Sequence, residues 1–251
     1  MTNNYTKIIL KNFSNSAYIY KKNAIIQRYF AELLAKECHK YCIPPGCWLD
    51  LGSGTGMLAE EIEKLHPYQK VIRIDGSQMM LKMNSLNSKT YLWDLNKGLP
   101  NCFEHPNLIA SSFVLHWLDN PCNQLNYWVQ ALHTGGWLAL CVPINGSFPE
   151  WYIASNKANV PYSAINLPSQ NEIYKAIDKS TIKTNIIHSY KQTEKKAINL
   201  LKPIVKAGAH ATQQKLLKTS QLRKLIINWP ESNLNKEYSL TWQILILVIK
   251  Q

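Results

Sequence analysis

The sequence lacks the features that mark membrane, exported and zinc-binding proteins. No uninterrupted apolar run approaches the ~20 residues that a membrane-spanning helix needs, and residues 1–11 hold no signal-like apolar core. We therefore expect a cytoplasmic protein that is not membrane-bound. The six cysteines form no repeated C-x-x-C pattern, so we expect reduced thiols and no metal site. A cluster of Cys38, His39, Cys42 and Cys47 is the alternative, although its spacing fits no standard zinc module.

Acidic residues are few relative to basic ones, and the imbalance is local. The chain has 28 Lys and Arg against 16 Asp and Glu, which gives a net charge of +12. Residues 1–150 hold 13 basic and 11 acidic residues, whereas residues 151–251 hold 15 and 5. A basic face attracts an acidic partner, either a nucleic acid or an acidic protein. A lysine-rich solvated surface without a partner explains the same excess.

Residues 48–56, WLDLGSGTG, are the most informative stretch of the sequence. The apolar residues before the first glycine predict a buried parallel strand, and the apolar spacing of residues 57–65 predicts a helix. Three glycines between them allow positive φ angles and close approach of the backbone to a ligand. A strand, a glycine turn and a helix start are typical of a nucleotide site at the carboxyl edge of a parallel sheet.

The glycine spacing narrows the class of nucleotide. The dinucleotide fingerprint G-x-G-x-x-G needs its third glycine at position 57, where Met57 stands. The next strand, 71–75, ends in Asp75, 19 residues after Gly56. A carboxylate at this point of a nucleotide fold accepts hydrogen bonds from ribose hydroxyls. Capping of the following helix is the alternative role, for which Ser77 is equally suited.

Seven strands and a set of helices are predicted, and together they indicate one α/β domain over residues 1–251. The strand at 238–250 is too apolar for an edge, so we place it inside the sheet. Ser169 with Glu172 three residues later predicts a helix start. The predicted strands are 47–51, 71–75, 90–93, 107–114, 137–143, 185–191 and 238–250, and the predicted helices include 13–36, 57–65, 122–133, 192–205 and 220–228.

Motifs outside the glycine loop make the chain similar to one family. The loop itself resembles motif I of class I S-adenosylmethionine-dependent methyltransferases. Further matching segments are Tyr20-x3-Ala24-x2-Gln27, Ser111-x5-Trp117, 146–151, 200–210, 219–222, 228–230 and 240–242. With these segments, the sequence resembles the malonyl-acyl-carrier-protein O-methyltransferases of biotin synthesis across nearly the whole chain. This sequence departs from the family pattern at three places. Family members often carry cysteine where Ser53 stands, glutamine where His116 stands, and an arginine where Gln214-Lys215 stand.

The resemblance implies a fold, a cofactor and a reaction. The fold is a Rossmann-like α/β domain with a mostly parallel seven-stranded sheet, helices on both faces and a helical insertion before the last strand. It implies an N-terminal helical extension at 1–43, a cofactor-binding core at 44–144, and substrate-side insertions at 145–168 and 193–236. The implied reaction methylates the carboxylate of malonyl-acyl carrier protein with S-adenosylmethionine. The implied partner is therefore an acyl carrier protein, and we expect a monomer.

The resemblance also implies roles for individual residues. Tyr20, His116 and Trp117 form the catalytic wall, and Lys206, His210 and Arg223 are candidates to bind the acceptor carboxylate. Trp117 as plain core, Asp94 as a structural loop residue, and the three cations as surface charges are the alternatives. The implied cofactor-binding residues are Gln27, Asp50, Gly52, Ser53, Gly54, Asp75, Gly76, Met80, Asp94, Leu95 and Ser111.

Other functions stay open at this point. A methyltransferase of another small carboxylic acid has the same residues 48–117 but gives the basic insertion no purpose. Nucleic-acid amine methyltransferases usually carry an Asn/Asp-Pro-Pro-aromatic tetrapeptide after the fourth strand, and residues 111–114 read SSFV instead. We therefore do not expect a nucleic-acid substrate. A non-enzymatic relative is disfavoured by the intact Asp50, Gly52, Gly54 and Asp75.

Overall fold

The computed structural model describes residues 4–209, 217–232 and 237–251 and contains one twisted sheet. Seven strands follow one another in the order β3-β2-β1-β4-β5-β8-β6, and β7 pairs with β8 at its start. The strands are β1 (Trp48–Leu51), β2 (Val71–Asp75), β3 (Thr90–Leu92), β4 (Leu108–Ser112), β5 (Trp137–Pro143), β6 (Ile182–Glu194), β7 (Glu231–Ser232) and β8 (Glu237–Lys250).

The direction of the strands places the candidate site. β1 pairs in parallel with β2 on one side and β4 on the other, while β8 runs antiparallel to β5 and β6. The strand order reverses at β1, and ligands of open α/β sheets bind beyond the carboxyl ends of the strands at such a point. The loops after β1, β2 and β4 therefore face one crevice.

Helices cover both faces of this sheet. The described helices are α1 (Asn4–Asn23), α2 (Ile25–His39), α3 (Met57–Leu65), α4 (Gln78–Leu81), α5 (Pro121–Ala131), α6 (Pro149–Ala158), α7 (Gln170–Lys175), α8 (Ala197–Lys206) and α9 (Thr219–Ile227). None of these helices combines the length and apolar character that crossing a bilayer requires.

The core lies on both faces because side chains alternate along each strand. On β8, Ile244, Ile246 and Val248 pack with α2, α3 and α8 on one face. The residues between them, which include Leu245 and Leu247, pack with α5 and α7 on the other face. The apolar run of β8 thus belongs to a strand buried on both faces, and its predicted position inside the sheet is confirmed.

Two predicted helices have wrong boundaries, and the strand predicted at 185–191 extends over Ile182–Glu194. The helix predicted at 13–36 is two helices, because the chain leaves helical geometry at Ala24, which has φ −85° and ψ 56°. The helix predicted at 192–205 begins only at Ala197, because Glu194 still pairs with Tyr238 in the β6–β8 ladder. The sheet also gains the two-residue strand β7, which the sequence did not indicate.

Helix α1 lies across the carboxyl edge of the sheet. Thr6 Oγ1 donates a hydrogen bond to Asp119 at 3.2 Å, and the hydroxyls of Ser14 and Ser77 lie 2.8 Å apart. A Cβ atom on Gly208, which follows α8, would lie 2.7 Å from the carbonyl oxygen of Asn12. The absence of a side chain at Gly208 therefore permits close packing between α1 and the end of α8.

A buried ion pair supports the glycine loop from below. Arg73 on β2 is 2% exposed, and its guanidinium donates to both carboxylate oxygens of Glu63 on α3, at 3.2 and 2.8 Å. Glu63 also accepts a hydrogen bond from the amide of Val71 at 3.0 Å. The ion pair thus joins α3, which follows the glycine loop, to β2.

We expect Glu63→Ala to destabilise the fold by about 3 kcal/mol, because it leaves the Arg73 charge buried without its partner. Thermal unfolding should show a melting temperature lower by roughly 6–12 °C. Glu61→Ala is the matched control, since Glu61 pairs at the surface with Lys64 and its loss costs about 0.5 kcal/mol. Equal shifts for the two variants would contradict the role given to the buried pair.

Candidate active site

The glycine loop is shaped by its backbone. Gly52, Gly54 and Gly56 have φ angles of 68°, 54° and 84°, a region that favours glycine. The amide of Gly52 donates to the carbonyl of Ile74 at 2.7 Å, and a Cβ atom on Gly52 would lie 2.3 Å from the side chain of Val114. A Cβ atom on Gly54 would meet nothing within 4 Å. The loop therefore packs closely at Gly52 and faces open space at Gly54.

Asp75 binds the loop at the end of β2. Its Oδ2 accepts a hydrogen bond from the amide of Gly54 at 2.8 Å, and its Oδ1 accepts one from the amide of Ser77 at 2.7 Å. Burial raises the pKa of the Asp75 carboxyl to about 6, and these two hydrogen bonds oppose that rise. Each oxygen keeps acceptor capacity for one further hydrogen bond.

Asp50 is the more deeply buried acid. It is 1% exposed and accepts a hydrogen bond from the amide of Ala59, in the first turn of α3, at 3.2 Å. Burial raises the pKa of the Asp50 carboxyl to about 7, while Arg73 and the Ala59 amide oppose the shift. Asp50 thus holds the start of the helix that follows the glycine loop.

Two adjoining cavities, of about 100 and 40 Å³, border the glycine loop, and we call them together the glycine-loop cavity. Tyr20 and Ser112 line both parts. Ten of the eleven residues predicted to bind the cofactor line it, namely Gln27, Asp50, Gly52, Ser53, Gly54, Asp75, Gly76, Met80, Asp94 and Leu95.

Ser111 is the exception. Its side chain is fully buried between β1 and β4, where the hydroxyl donates to the carbonyl of Leu51 at 2.9 Å. The next residue, Ser112, borders the cavity instead. The side chain of Ser111 thus does not line the glycine-loop cavity, and its contact with the cofactor stays a prediction.

A larger cavity of about 600 Å³, which we call the acceptor cavity, adjoins the glycine-loop cavity. Five side chains line both, so they separate one space from the other: Phe13, Tyr20, Gln27, Phe113 and Trp117. The remaining wall is mostly apolar, with Phe148, Trp151 and Trp242 on one side and α8 on another. The two cavities thus meet at an aromatic boundary.

Of the three predicted catalytic residues, Tyr20 and Trp117 lie at this boundary, whereas His116 lines the acceptor cavity but not the glycine-loop cavity. Burial, followed by the charge of Asp75, raises the pKa of the Tyr20 hydroxyl, so Tyr20 stays protonated. Burial lowers the pKa of His116 to about 3, so its imidazole is neutral near pH 7. Trp117 is 9% exposed and meets the edge of Phe13 with ring centres 5.6 Å apart. Trp117 therefore packs in a core cluster and lines the cavity as well.

Of the three predicted carboxylate-binding cations, the structure describes Lys206 and Arg223. Lys206, at the end of α8, lines the acceptor cavity, whereas Arg223 on α9 is exposed and does not line it. His210 lies outside the described residues. The predictions missed Lys202, which is one helical turn from Lys206 and lines the same cavity. The helical spacing of these two lysines was the available signal.

Phe113 was also missed. It follows β4 with a φ of 58°, an uncommon value for a residue with a large side chain, and it borders both cavities. Asp94 accepts hydrogen bonds from the amide and the side chain of Asn96, both at 3.1 Å, so it has a structural contact in addition to its place in the cavity wall. In the described parts of the chain, no three His, Cys, Asp or Glu side chains are grouped to hold a metal ion.

A family model described as a methyltransferase domain matches residues 20–183. The match covers well over half of the chain and includes the glycine loop, Asp75 and Trp117. The chain belongs to this methyltransferase family. Its cofactor is S-adenosylmethionine.

Curated relatives match with lower identity. A malonyl-[acyl-carrier protein] O-methyltransferase of Ilyobacter polytropus is 27% identical over 143 residues, which are 53% of this chain and 51% of the relative. A trans-aconitate 2-methyltransferase of Pseudomonas paraeruginosa is 30% identical over 127 residues, 50% of this chain and 45% of the relative. The chain thus spans about half the length of these relatives.

Solved structures share the fold. A putative methyltransferase of Bacillus halodurans superposes with a TM-score of 0.59 over 86% of this chain and 97% of its own. Its sequence identity is 17%, so the likeness shows the fold alone. The Rossmann-like class I methyltransferase fold predicted from the sequence is confirmed.

The residues around the glycine-loop cavity fit the cofactor. The open space beside Gly54 lets a ligand approach the backbone, and the free acceptor capacity of Asp75 suits a pair of ribose hydroxyls. Asp50 adds a second carboxylate at the smaller part of the cavity. This donor and acceptor set is appropriate for a nucleoside that carries a cationic amino-acid chain.

We expect Asp75→Asn to weaken binding of S-adenosylhomocysteine by about 10- to 100-fold, because hydrogen bonds to a charged acceptor become neutral ones. Isothermal titration calorimetry measures this without turnover. Asp119→Asn is the control, since Asp119 keeps its bond from Thr6 and does not line the glycine-loop cavity. An unchanged dissociation constant for Asp75→Asn would contradict the ribose role.

Proposed function

We propose that this chain transfers a methyl group from S-adenosylmethionine to the free carboxylate of a malonyl thioester on an acyl carrier protein. The product is a methyl ester that starts pimeloyl synthesis for biotin. The observation that carries the proposal is an acceptor cavity that joins the glycine-loop cavity at Tyr20 and has two lysines in its wall. Several relatives named malonyl-acyl-carrier-protein O-methyltransferases support it.

In this proposal, each part of the glycine-loop cavity binds one part of the cofactor. Asp75 accepts hydrogen bonds from the ribose, and Met80, Asp94 and Leu95 lie around the adenine. Gln27, Asp50, Ser53 and the backbone of Gly52 and Gly54 hold the amino-acid chain. When bound, S-adenosylmethionine supplies a methyl group that leaves sulfur as the acceptor oxygen bonds to it.

The reaction needs no general base. A carboxylic acid with a pKa near ~4 is already ionised at neutral pH. His116 is neutral and Tyr20 is protonated, so both serve as wall and as hydrogen-bond donors. The contribution of the protein is to orient the acceptor and exclude water, and orientation of this kind supplies ~7–11 kcal/mol of a barrier.

Lys206 is our candidate to hold the anionic acceptor, with Lys202 beside it. Both side chains line the acceptor cavity and neither has an ion-pair partner among the described residues. A carboxylate that binds a lysine loses its charge when it becomes an ester. The same contact therefore favours binding of the substrate and release of the product.

The charge excess of residues 151–251 supports a carrier-protein partner. Lys195 and Lys196 precede α8 and Lys224 lies on α9, and all three are exposed. Acyl carrier proteins are acidic, and complementary charge speeds the encounter of two proteins. The basic insertion would thus guide the carrier to the side of the domain on which the acceptor cavity opens.

A second candidate is methylation of a small free carboxylic acid. The similarity to a trans-aconitate 2-methyltransferase favours it. It requires the same cofactor-binding residues and likewise needs no general base. It gives no role to the basic residues outside the cavity.

A methyl-transfer assay with malonyl-loaded carrier protein tests the proposal. Malonyl-CoA, free malonate and trans-aconitate are compared at equal concentration. We expect transfer to the carrier-bound acceptor with the highest kcat/KM and its loss in Asp75→Ala, which removes the proposed ribose contact. Transfer only to the free acids would overturn the carrier proposal in favour of the second candidate.

Charge reversal tests the carrier surface separately. The triple variant Lys195→Glu, Lys196→Glu, Lys224→Glu should raise KM for the carrier-bound acceptor about tenfold at low salt and less at high salt. It should leave KM for malonyl-pantetheine unchanged, since that acceptor has no protein surface.

Two comparisons sharpen this prediction. Reversal of Lys70, Lys82 and Lys89 makes the same change in net charge on exposed residues of the cofactor-binding half, and should leave both KM values unchanged. Lys206→Ala should raise both, because its proposed contact is with the acceptor itself. Equal effects of the two triple variants would count against a defined carrier surface.

A further inference from the structure

The carbonyl of Gly54 has a partner that does not itself line the glycine-loop cavity. Asn84 stands three residues after α4, and its Nδ2 donates to the Gly54 carbonyl oxygen at 3.1 Å. The same nitrogen lies 3.0 and 3.3 Å from the carbonyl oxygens of Leu81 and Met80. Carbonyl oxygens can only accept hydrogen bonds, so three of them around one nitrogen fix which way the Asn84 amide points.

The oxygen of the Asn84 amide lies beside the position where Gly56 lacks a side chain. A Cβ atom on Gly56 would overlap Oδ1 of Asn84 and would lie 3.1 Å from Nε of Arg73. Oδ1 is an acceptor and Nε is a donor, and both are buried without a hydrogen-bond partner among the described residues. The negative end of the amide thus lies on the side of the buried guanidinium, and the charge of Arg73 favours this orientation.

Gly54 is therefore held on both sides of its Cα. Asp75 accepts from its amide at 2.8 Å, and Asn84 donates to its carbonyl. The amide belongs to the peptide group before the Cα and the carbonyl to the peptide group after it, so the two bonds restrict φ and ψ together. Glycine has more backbone freedom to lose than any other residue, and a glycine that is fixed before a ligand arrives lowers the cost of binding.

From these contacts we infer that Asn84 is a positioning residue for S-adenosylmethionine, which acts through the Gly54 carbonyl and does not touch the cofactor. Its effect belongs to the free protein, where it keeps the glycine loop in the conformation that binds. A loop that is released from this bond is competent for only part of the time, and the apparent affinity falls by that fraction. The inference concerns the cofactor end alone, so it holds for either candidate acceptor.

Isothermal titration calorimetry with S-adenosylhomocysteine tests the inference. Asn84→Ala removes the bond to Gly54, and we expect the dissociation constant to rise about five- to tenfold. Asn228→Ala is the matched control and should leave the constant unchanged. The Asn228 amide donates at 2.9 Å to the carbonyl of Lys224, four residues earlier, as the Asn84 amide does to Met80, but Asn228 has no contact with the glycine loop. A constant within twofold of wild type for Asn84→Ala, or equal losses in both variants, would overturn the inference.

An isosteric variant separates the hydrogen bond from packing. At pH 8, Asn84→Asp keeps the shape of the side chain but places an acceptor where the donor to the Gly54 carbonyl was. It should therefore weaken binding of S-adenosylhomocysteine at least as much as Asn84→Ala does. A side chain that acts only by filling space gives the opposite order, with affinity kept in Asn84→Asp and lost in Asn84→Ala. That order would contradict the inference.

Hydrogen exchange of the free protein locates the effect without any ligand. In Asn84→Ala, peptides that cover residues 48–56 should exchange faster than in wild type, because the loop opens more often. Peptides of β5 should keep their protection, which shows that the variant is folded. Unchanged exchange in the loop would overturn the role of Asn84 in the free protein. No acceptor enters these measurements, so their outcome and that of the methyl-transfer assay are independent.

Discussion

The carboxylate of Asp75 fixes the geometry on which the site depends. It binds the amide of Gly54 in the loop after β1 and the amide of Ser77 after β2, so one side chain joins two loops from neighbouring strands. The amide of Gly52 bonds to the carbonyl of Ile74 beside it. Because β1 and β2 are already in parallel register, these bonds fix the backbone conformation of the glycine loop. The open space beside Gly54 is the consequence.

Buried charge beneath the loop ties this geometry to the rest of the fold. Glu63 holds Arg73 within the sheet, and Arg73 favours the ionised form of Asp50 against the effect of burial. Asp50 in turn holds the amide of Ala59 where α3 begins. The carboxyl edge of β1 therefore receives its helix and its loop in a fixed relation. The hydrogen bonds that fix the cofactor end join residues of one strand-helix-strand unit, 9 to 21 positions apart.

For that reason the cofactor half could be predicted from the sequence. The strand, the glycines and Asp75 act through local backbone chemistry, and the spacing of these residues carries the information. The helix start at Ser169 with Glu172 was predicted on the same basis and is confirmed as a capping box. Ser111 shows the limit, because a shift of one residue along a strand decides which side chain borders the cavity, and in this structure Ser112 borders it.

The acceptor half could not be predicted in the same way, because its geometry depends on how helices rotate when they pack. Sequence similarity made Lys206 and Arg223 equal candidates to bind the acceptor carboxylate. In the structure, Lys206 and Lys202 on α8 line the acceptor cavity, whereas Arg223 on α9 lies at the surface outside it. The break at Ala24 likewise places Tyr20 and Gln27 on different helices that still meet at one wall.

The family match covers the cofactor-binding part of the chain but not the helices that line the acceptor cavity near the carboxyl end. It ends at residue 183, before α8 begins at Ala197, so it includes the glycine loop and Asp75 but neither lysine of the acceptor cavity. Membership therefore defines the cofactor. The acceptor must be argued from the side chains that α6, α8 and β8 bring together, and in this chain they form an aromatic space with Lys202 and Lys206 in its wall.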